Sequence, residues 1–166
     1  FYPRSSIKIF QAIPFAMSNA INKFKLNNKH VALACASHKG EEFHIRELKK
    51  WISKISLKTK NLQCGIHGPL DKKAAEKIIY SREEFNELHN NCAGKHLAML
   101  TSCLANGQNI KNYLDYNHAH QKNIRKIFNK FTETKLSRKN FSLDGCSAPQ
   151  YSFKIKYISK ALNNLI

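Results

Sequence analysis

The sequence predicts a mainly α-helical protein that folds as one domain. Apolar residues recur at three- and four-residue steps in several long segments, which is the pattern of amphipathic helices. The chain has 166 residues, a length that can bury one sizeable core. Because it contains no internal repeat and no low-complexity linker, we expect a single domain that spans residues 1–166.

The N-terminal part of the chain is predicted to be helical over residues 5–21. Pro14 interrupts this pattern and is expected to end or kink the helix near Ile13, since proline lacks the N–H group that an interior helical position needs. The next apolar segment, residues 31–37, is compact and rich in small residues. Its pattern fits a strand and a buried helix equally well.

The other predicted helices carry start or stop signals. Asp71 is expected to cap the start of one helix, and the Asn106-Gly107 pair is expected to end another. Residues 62–70 contain glycine and proline and are predicted to form a loop. These further helices are predicted at residues 41–57, 72–80, 94–105, 118–132 and 153–166.

The formal charge of the chain is +17. Such a charge fits either lysines spread over solvated faces or an affinity for nucleic acid and anionic membranes. The basic residues are distributed along the chain, without a zinc finger or an aromatic-interleaved basic motif. Charge alone gives only non-specific phosphate affinity, so we expect no specific nucleic-acid partner. We also expect no membrane partner, because no apolar stretch is long enough to span a bilayer.

The chain contains five cysteines. Their odd number, the absence of closely spaced pairs and the lack of a secretion signal favour a reducing compartment, so a cytoplasmic location is expected. Cys103 lies in an apolar helical run and is predicted to be a small core residue.

A Ser-x-x-Lys pair, Ser5 and Lys8, lies at the start of the first predicted helix. Residues three apart share a helical face, so the Ser5 hydroxyl and the Lys8 amine can meet. A lysine with a lowered pKa can take the proton of a serine nucleophile. A surface lysine one turn from a capping serine is the plainer alternative. Ser37, on another segment, is a candidate second serine of a proton relay.

Two thiols and an amine form a candidate metal site: Cys92, Lys95 and Cys146. Thiolates are good zinc ligands, and zinc takes about four ligands in proteins. Lysine is an unusual ligand because it must first lose its proton, which a bound metal ion favours. Spacing alone does not establish the site, and each cysteine is equally well explained as a small buried residue.

Five sequence blocks, taken together, are more specific than any one of them. The blocks are residues 4–8 (RSSIK), 34–41 (ACASHKGE), 62–65 (LQCG), 89–96 (HNNCAGKH) and 144–149 (DGCSAP). They occur in the order found in the Rhizobium etli-type L-asparaginase family, which the chain resembles over nearly its whole length. The resemblance implies a serine β-lactamase-like α+β (α/β) fold in which a helical domain packs on an α/β domain.

The resemblance also implies an activity, namely hydrolysis of the side-chain amide of L-asparagine to aspartate and ammonia. Ser5 would be the nucleophile, Lys8 its partner base and Ser37 the relay serine. Cys92, Lys95 and Cys146 would hold a zinc ion, and the protein would form a homodimer. Four more residues would bind or order the substrate: Arg4, Asn91, His96 and Asp144.

Two features depart from the family pattern. The family carries a Pro-x-Gln sequence after the lysine, whereas this chain has Ile9-Phe10-Gln11 and keeps only the glutamine. The chain also opens at Phe1 without an initiator methionine, so we expect a fragment, or a gene remnant. A further catalytic lysine is expected beyond residue 166. The sheet would then be incomplete, which leaves the activity of the chain on its own in question.

Two other classes of function compete with an asparaginase. The net charge fits a basic helical module that binds nucleic acid or anionic surfaces. The Ser-x-x-Lys pair alone fits a penicillin-recognising acyl enzyme. Neither alternative accounts for the blocks around Cys92 and Cys146, so the asparaginase is preferred.

Overall fold

The computed structural model describes residues 1–166 and is mainly helical. Eight α-helices, four short 3-10 helices and one two-stranded sheet follow one another along the chain. The α-helices are α1 (Lys8–Met17), α2 (Ala20–Lys23), α3 (Asn28–Cys35), α4 (Glu42–Lys54), α5 (Lys72–Tyr80), α6 (Ala93–Ala105), α7 (Ala119–Thr132) and α8 (Ile155–Asn163). The 3-10 helices are Arg4–Ile7, Thr59–Asn61, Glu87–His89 and Arg138–Asn140, and the strands are β1 (Phe141–Leu143) and β2 (Pro149–Tyr151).

Helix α6 lies at the centre of the core. Every residue from Ala93 to Cys103 is buried, and helices α1, α3 and α7 pack around it. A helix that is apolar on all sides is stable only when neighbours cover all of its faces. Cys103 is fully buried, as the sequence predicts.

Gly94 brings α6 into close contact with α3. A Cβ atom at this position would lie 2.1 Å from the carbonyl oxygen of Leu33 and 2.6 Å from its carbonyl carbon. Only a residue without a side chain fits between the two backbones. This approach sets the start of α6 beside the end of α3, where the candidate relay serine Ser37 follows.

Several helices lie close to their predicted positions. Helix α5 has the predicted bounds, and the Asp71 side chain accepts a hydrogen bond from the backbone N–H of Ala74. The ambiguous segment of residues 31–37 forms the greater part of helix α3, followed by an extended turn. These outcomes show that periodicity and capping residues carried enough information for the longer helices.

The expected end of the first helix near Ile13 is wrong. Helix α1 continues through Pro14 and ends at Met17. Phe10 and Phe15, on either side of the proline, are fully buried. Their burial stabilises the helix and outweighs the loss of one backbone hydrogen bond at Pro14.

The two strands form an antiparallel hairpin that lies beside the N-terminus. Phe141 pairs with Tyr151 and Leu143 pairs with Pro149. Phe1 and Phe153 exchange two hydrogen bonds, from the terminal amine to the Phe153 carbonyl at 3.0 Å and from the Phe153 N–H to the Phe1 carbonyl at 2.9 Å. The hairpin turn and the Ser-x-x-Lys segment are thereby brought together. None of the helices has the length and apolar character that crossing a membrane requires.

Candidate functional site

A chain of hydrogen bonds joins Lys8 to Ser5. The Lys8 Nζ donates to Oγ of Ser37 at 2.8 Å and to the carbonyl oxygen of Ala36 at 2.7 Å. The Ser37 hydroxyl in turn donates to Oγ of Ser5 at 3.1 Å. Ser5 is exposed and lies in the 3-10 helix Arg4–Ile7, whereas Lys8 begins α1 and is 1% exposed. The three side chains therefore form a relay that leads from a buried amine to an accessible hydroxyl.

The route between Ser5 and Lys8 differs from the simplest form of the sequence prediction. The spacing of the pair allows a direct contact, but no hydrogen bond joins the two side chains. Ser37, which the sequence analysis names as a candidate second serine of a relay, occupies the position between them. Its distance along the chain from Ser5 and Lys8 kept that position from being predicted.

The environment of Lys8 favours its neutral form. Burial lowers the pKa of Lys8 and the nearby Lys95 ammonium lowers it further, while the sulfur atoms of Cys92 and Cys146 act in the opposite direction. A buried amine loses its proton more easily because the charged form is poorly solvated. These interactions also show that the relay and the two cysteines belong to one site.

Cys92, Asp144 and Cys146 form a compact cluster of metal-ligating groups. The two sulfur atoms and a carboxylate oxygen all lie within 4.8 Å of one another. Cys92 precedes the first residue of α6, while Asp144 and Cys146 come from the turn between β1 and β2. Both sulfur atoms belong to buried residues. A zinc ion with bonds of about 2.3 Å to sulfur holds its ligand atoms about 3.8 Å apart, so a small contraction would produce such a site.

The two thiols of this cluster differ in their tendency to ionise. The adjacent Cys146 thiol lowers the pKa of Cys92 to about 6, against the effect of burial. The adjacent Cys92 sulfur, together with burial, raises the pKa of Cys146 to about 11. The Cys146 thiol donates a hydrogen bond to Oδ2 of Asp144 at 3.8 Å. Cys92 is therefore the thiolate of the pair, and Cys146 becomes an anionic ligand only when a cation replaces its proton.

Lys95 lies against the same cluster. Its Nζ is 3.5 Å from Oδ2 of Asp144, and the side chain is 3% exposed. Burial lowers the pKa of Lys95, but its interactions with Cys146, Cys92 and Asp144 outweigh burial and the pKa is raised. The amine must therefore give up a proton before it can bind a metal ion. Once Lys95 has lost a proton, the donor set of two sulfurs, one amine and one carboxylate fits zinc.

Arg4 forms the exposed edge of the site. Its guanidinium lies 3.5 Å from the Asp144 carboxylate, which is buried while the Arg4 side chain is 69% exposed. Burial raises the pKa of Asp144, but Lys95, the Gly145 N–H and Arg4 together hold it below its usual range. Asp144 is thus an anion that connects the solvent-facing arginine to the buried lysine.

His96 is fixed by two residues outside the predicted site, Tyr113 and Gln63. The Tyr113 hydroxyl lies 2.6 Å from Nδ1 of His96 and accepts a hydrogen bond from the Gln63 N–H at 2.9 Å. With that donor on its oxygen, the buried hydroxyl has only Nδ1 of His96 as an acceptor for its own proton. Neutral His96 therefore carries its proton on Nε2, which has no partner in the protein. Burial lowers the pKa of His96, against the effect of Cys146.

Asn90 and Asn91 hold the loop before α6. Oδ1 of Asn90 accepts a hydrogen bond from the Cys92 N–H at 2.9 Å, and its Nδ2 donates to the Cys64 carbonyl at 2.8 Å. Asn91, a predicted substrate-binding residue, makes its polar contacts with His67: its N–H donates to Nε2 at 3.1 Å. The structure thus joins Asn91 to His67 and not to the relay. Sequence reasoning missed Asn90 as the residue that orients Cys92, although it lies within one of the conspicuous blocks.

Comparison of the chain with known protein families gives one match. A family model described as L-asparaginase II matches residues 1–166. No curated protein matches the chain.

Proposed function

The chain belongs to the L-asparaginase II family, and from this premise we propose that it hydrolyses the side-chain amide of L-asparagine through a Ser5 acyl-enzyme. Family membership makes the chain an amidohydrolase-type protein with a small-molecule substrate. The proposal adds the Rhizobium etli type, the serine nucleophile and a zinc ion. A serine β-lactamase-like fold and a homodimer are part of the same proposal.

One observation carries the mechanism: the relay in which Lys8, Ser37 and Ser5 follow one another at 2.8 and 3.1 Å. With Lys8 charged, hydrogen bonds run from Lys8 to Ser37 and from Ser37 to Ser5. When Lys8 loses its proton, both bonds can reverse, so that Ser5 donates to Ser37 and Ser37 donates to the amine. Burial of Lys8 favours this second state because it lowers the pKa of the amine.

In the acylation step, Oγ of Ser5 attacks the side-chain carbonyl carbon of asparagine. The Ser5 proton moves to Ser37, whose own proton moves to neutral Lys8. Backbone N–H groups at the start of the helix stabilise the oxyanion. The tetrahedral intermediate then collapses: the C–N bond breaks, the proton returns through the relay to the nitrogen, and ammonia leaves.

Deacylation uses the same groups with water as the nucleophile. Water loses a proton to the relay and attacks the ester carbon, and the Ser5–carbon bond breaks with return of the proton to Ser5. Aspartate is the second product. A single base can serve both steps because each half-reaction leaves it in the protonation state that the next one needs.

Four residues would hold and order the substrate in this proposal: Arg4, Asn91, His96 and Asp144. The exposed guanidinium of Arg4 suits a carboxylate group, which asparagine carries on its α-carbon. Asp144 keeps that guanidinium beside the relay through the contact at 3.5 Å. His96 presents its Nε2–H as a hydrogen-bond donor.

Cys92, Lys95 and Cys146 would hold the zinc ion, and the position of Asp144 within 4.8 Å of both sulfur atoms makes its carboxylate a further ligand candidate. When bound, zinc would supply a fixed positive charge that orients the substrate beside the relay. Its charge would also offset the interactions with Cys92 and Cys146 that raise the pKa of Lys8.

The experiment is an ammonia-release assay with L-asparagine, together with mass spectrometry of the quenched protein. We expect ammonia release and a Ser5-linked aspartyl adduct, both absent from Ser5→Ala and both present in Ser6→Ala, a neighbouring exposed serine. A labelled β-lactam serves as a second arm. Acylation of Ser5 by the β-lactam without turnover of asparagine would replace this proposal by a penicillin-recognising enzyme.

A further inference from the structure

A large cavity lies outside the candidate active site, between α4 and α5. It has a volume of about 1000 Å³ and contains none of the relay or metal-cluster residues. A cavity of this size holds one small molecule of nucleotide size. Its walls carry more basic than acidic side chains. The basic side chains are Arg46, Lys49, Lys50, Lys54, Lys73 and Lys77, and the acidic ones are Glu41, Glu42, Asp71 and Glu83.

The cations come from two helical stripes that face each other. On α4 they recur at positions 46, 49, 50 and 54, and on α5 at positions 73 and 77. Spacings of three, four and eight place side chains on one face of a helix. Each helix therefore turns a basic face towards the same space, an arrangement that can surround an anion from two sides.

Two of the four acidic residues of the same walls are engaged by other groups of the protein, and the other two, Glu41 and Glu83, form no ion pair. Asp71 caps α5 through the Ala74 N–H at 2.8 Å, and Glu42 pairs with Lys77 at 3.0 Å. Lys49 and Lys73 form no ion pair in the structure. Lys54 also forms no ion pair, but its amine donates a hydrogen bond to the Lys25 carbonyl. Lys49 and Lys73, one on each wall, are therefore the cations most available to a ligand.

No side chain of the protein fills the space between the walls. Helix α5 has no buried residue. It is held by its cap, by the Lys77–Glu42 pair and by the hydrogen bond from the Asp71 N–H to the Lys39 carbonyl at 2.9 Å. A helix of nine residues has little stability of its own and normally depends on packing. A bound anion would add further contacts between α4 and α5, which the Lys77–Glu42 pair joins at the surface.

We propose that the α4–α5 cleft binds a small, multiply phosphorylated anion of nucleotide size. Phosphate oxygens match the paired lysine walls, because lysine binds phosphate as a point charge without a fixed orientation. The walls contain no Phe, Tyr or Trp on which successive bases could stack. This composition disfavours single-stranded nucleic acid, whose sites combine basic grooves with aromatic platforms.

The test is isothermal titration with inorganic tripolyphosphate at fixed ionic strength, followed by ATP as a second arm. We expect saturable binding to one site per chain and a loss of affinity of at least about tenfold in Lys49→Gln/Lys73→Gln. All four lysines of the test and control variants are exposed, so neither change should affect folding. The matched control, Lys122→Gln/Lys126→Gln on α7, removes the same charge and should bind as the wild type does.

The comparison of tripolyphosphate with ATP shows whether the cleft binds a phosphate chain or a nucleotide. Equal affinities would assign the cleft to the phosphate chain alone, and tighter binding of ATP would assign it to a nucleotide. Hydrogen exchange in α5 should slow on binding in either case. Absence of saturable binding, or an equal loss in both double variants, would overturn the proposal. So would binding of a single-stranded oligonucleotide in the absence of tripolyphosphate binding.

Discussion

The Nζ of Lys8 lies 2.8 Å from the Oγ of Ser37, although the two residues are 29 positions apart in the chain. Lys8 is nearly inaccessible to solvent, and Ser37 is its link to the exposed Ser5 hydroxyl. The proposed base therefore acts on the nucleophile through a third side chain. In the proposed mechanism, Ser37 is therefore as important as the two residues of the Ser-x-x-Lys pair.

Replacement of Ser37 by alanine should abolish most of the activity. Without the hydroxyl, the Lys8 amine keeps its bond to the Ala36 carbonyl but loses its path to Ser5. We expect kcat for ammonia release to fall by about 100-fold or more, the usual effect of removing a proton-transfer group. KM should change little, because Ser37 is proposed to transfer protons and not to bind substrate. A steady-state assay of Ser37→Ala, with Ser6→Ala as the control, measures both constants. A rise in KM at unchanged kcat would assign Ser37 to substrate binding.

Removal of both cysteines of the cluster should eliminate zinc binding. We expect about one zinc per chain in the wild type and none in Cys92→Ala/Cys146→Ala, measured by elemental analysis after dialysis. Cys103→Ala is the matched control, since Cys103 is buried in the core and does not belong to the cluster of Cys92, Asp144 and Cys146. Equal zinc content in the three proteins would contradict the site.

Substitution of Asp144 distinguishes two roles for this residue in the metal cluster. Its carboxylate lies near both sulfur atoms and near Lys95 Nζ, so it can act as a ligand or as a partner of the lysine. If Asp144 is a partner of Lys95 and not a ligand, Asp144→Asn should weaken zinc affinity by about 10–100-fold and leave the zinc stoichiometry intact. Competition with a chelating dye measures this affinity. Complete loss of zinc from Asp144→Asn would make Asp144 a ligand.

The close contact between α6 and α3 should make Gly94→Ala strongly destabilising. The new methyl group would collide with the Leu33 backbone at 2.1 Å, so the helices must separate. We expect a loss of about 3 kcal/mol or more in the free energy of unfolding, at the upper end of overpacking costs. Gly145→Ala is the control, because its nearest atom would be Nη2 of Arg4 at 3.7 Å. Urea denaturation should show a change within about 0.5 kcal/mol for this variant.

The sequence predicted those parts of the fold that are encoded locally. Long amphipathic helices and the Asp71 cap follow from side-chain spacing and from one capping residue. The course of α1 beyond Pro14 could not be predicted in this way, because it depends on the burial of Phe10 and Phe15 in the folded core. The hairpin was also missed, since strands of three residues are too short to show an alternating pattern.

The candidate site was predictable to a similar extent. The residue types of the relay and of the metal cluster stand out in the sequence, and the family resemblance groups them. Their connections are tertiary: Ser37 comes between Ser5 and Lys8, and Asp144 joins the two cysteines. Tyr113 lay in a segment without any motif, so nothing in the sequence linked it to His96. Such contacts depend on which helices pack together.

His120 should make the protein less stable in mild acid. Its side chain is 1% exposed, its Nε2 has no hydrogen-bond partner, and burial lowers its pKa to about 4. In the unfolded chain a histidine titrates near pH 6.5. Between these two pH values His120 is protonated in the unfolded state and neutral in the folded state. The free energy of unfolding therefore falls as the pH drops from about 6.5 to about 4. The difference between the two pKa values corresponds to about 3 kcal/mol in the free energy of unfolding, and this contribution is fully lost once the pH is below about 4.

Urea denaturation at a series of pH values between 7.5 and about 4 measures this effect. His120→Leu removes the titrating group and should flatten the pH dependence by roughly the contribution of one buried histidine. A residual slope is expected from His38, whose pKa is also lowered to about 4, mainly by burial. His118→Asn is the control, because asparagine preserves a capping side chain at the start of α7. Since His120 remains buried in that variant, most of the wild-type slope should persist. A wild-type profile that is flat between pH 6.5 and 4 would show that His120 is protonated within the folded protein.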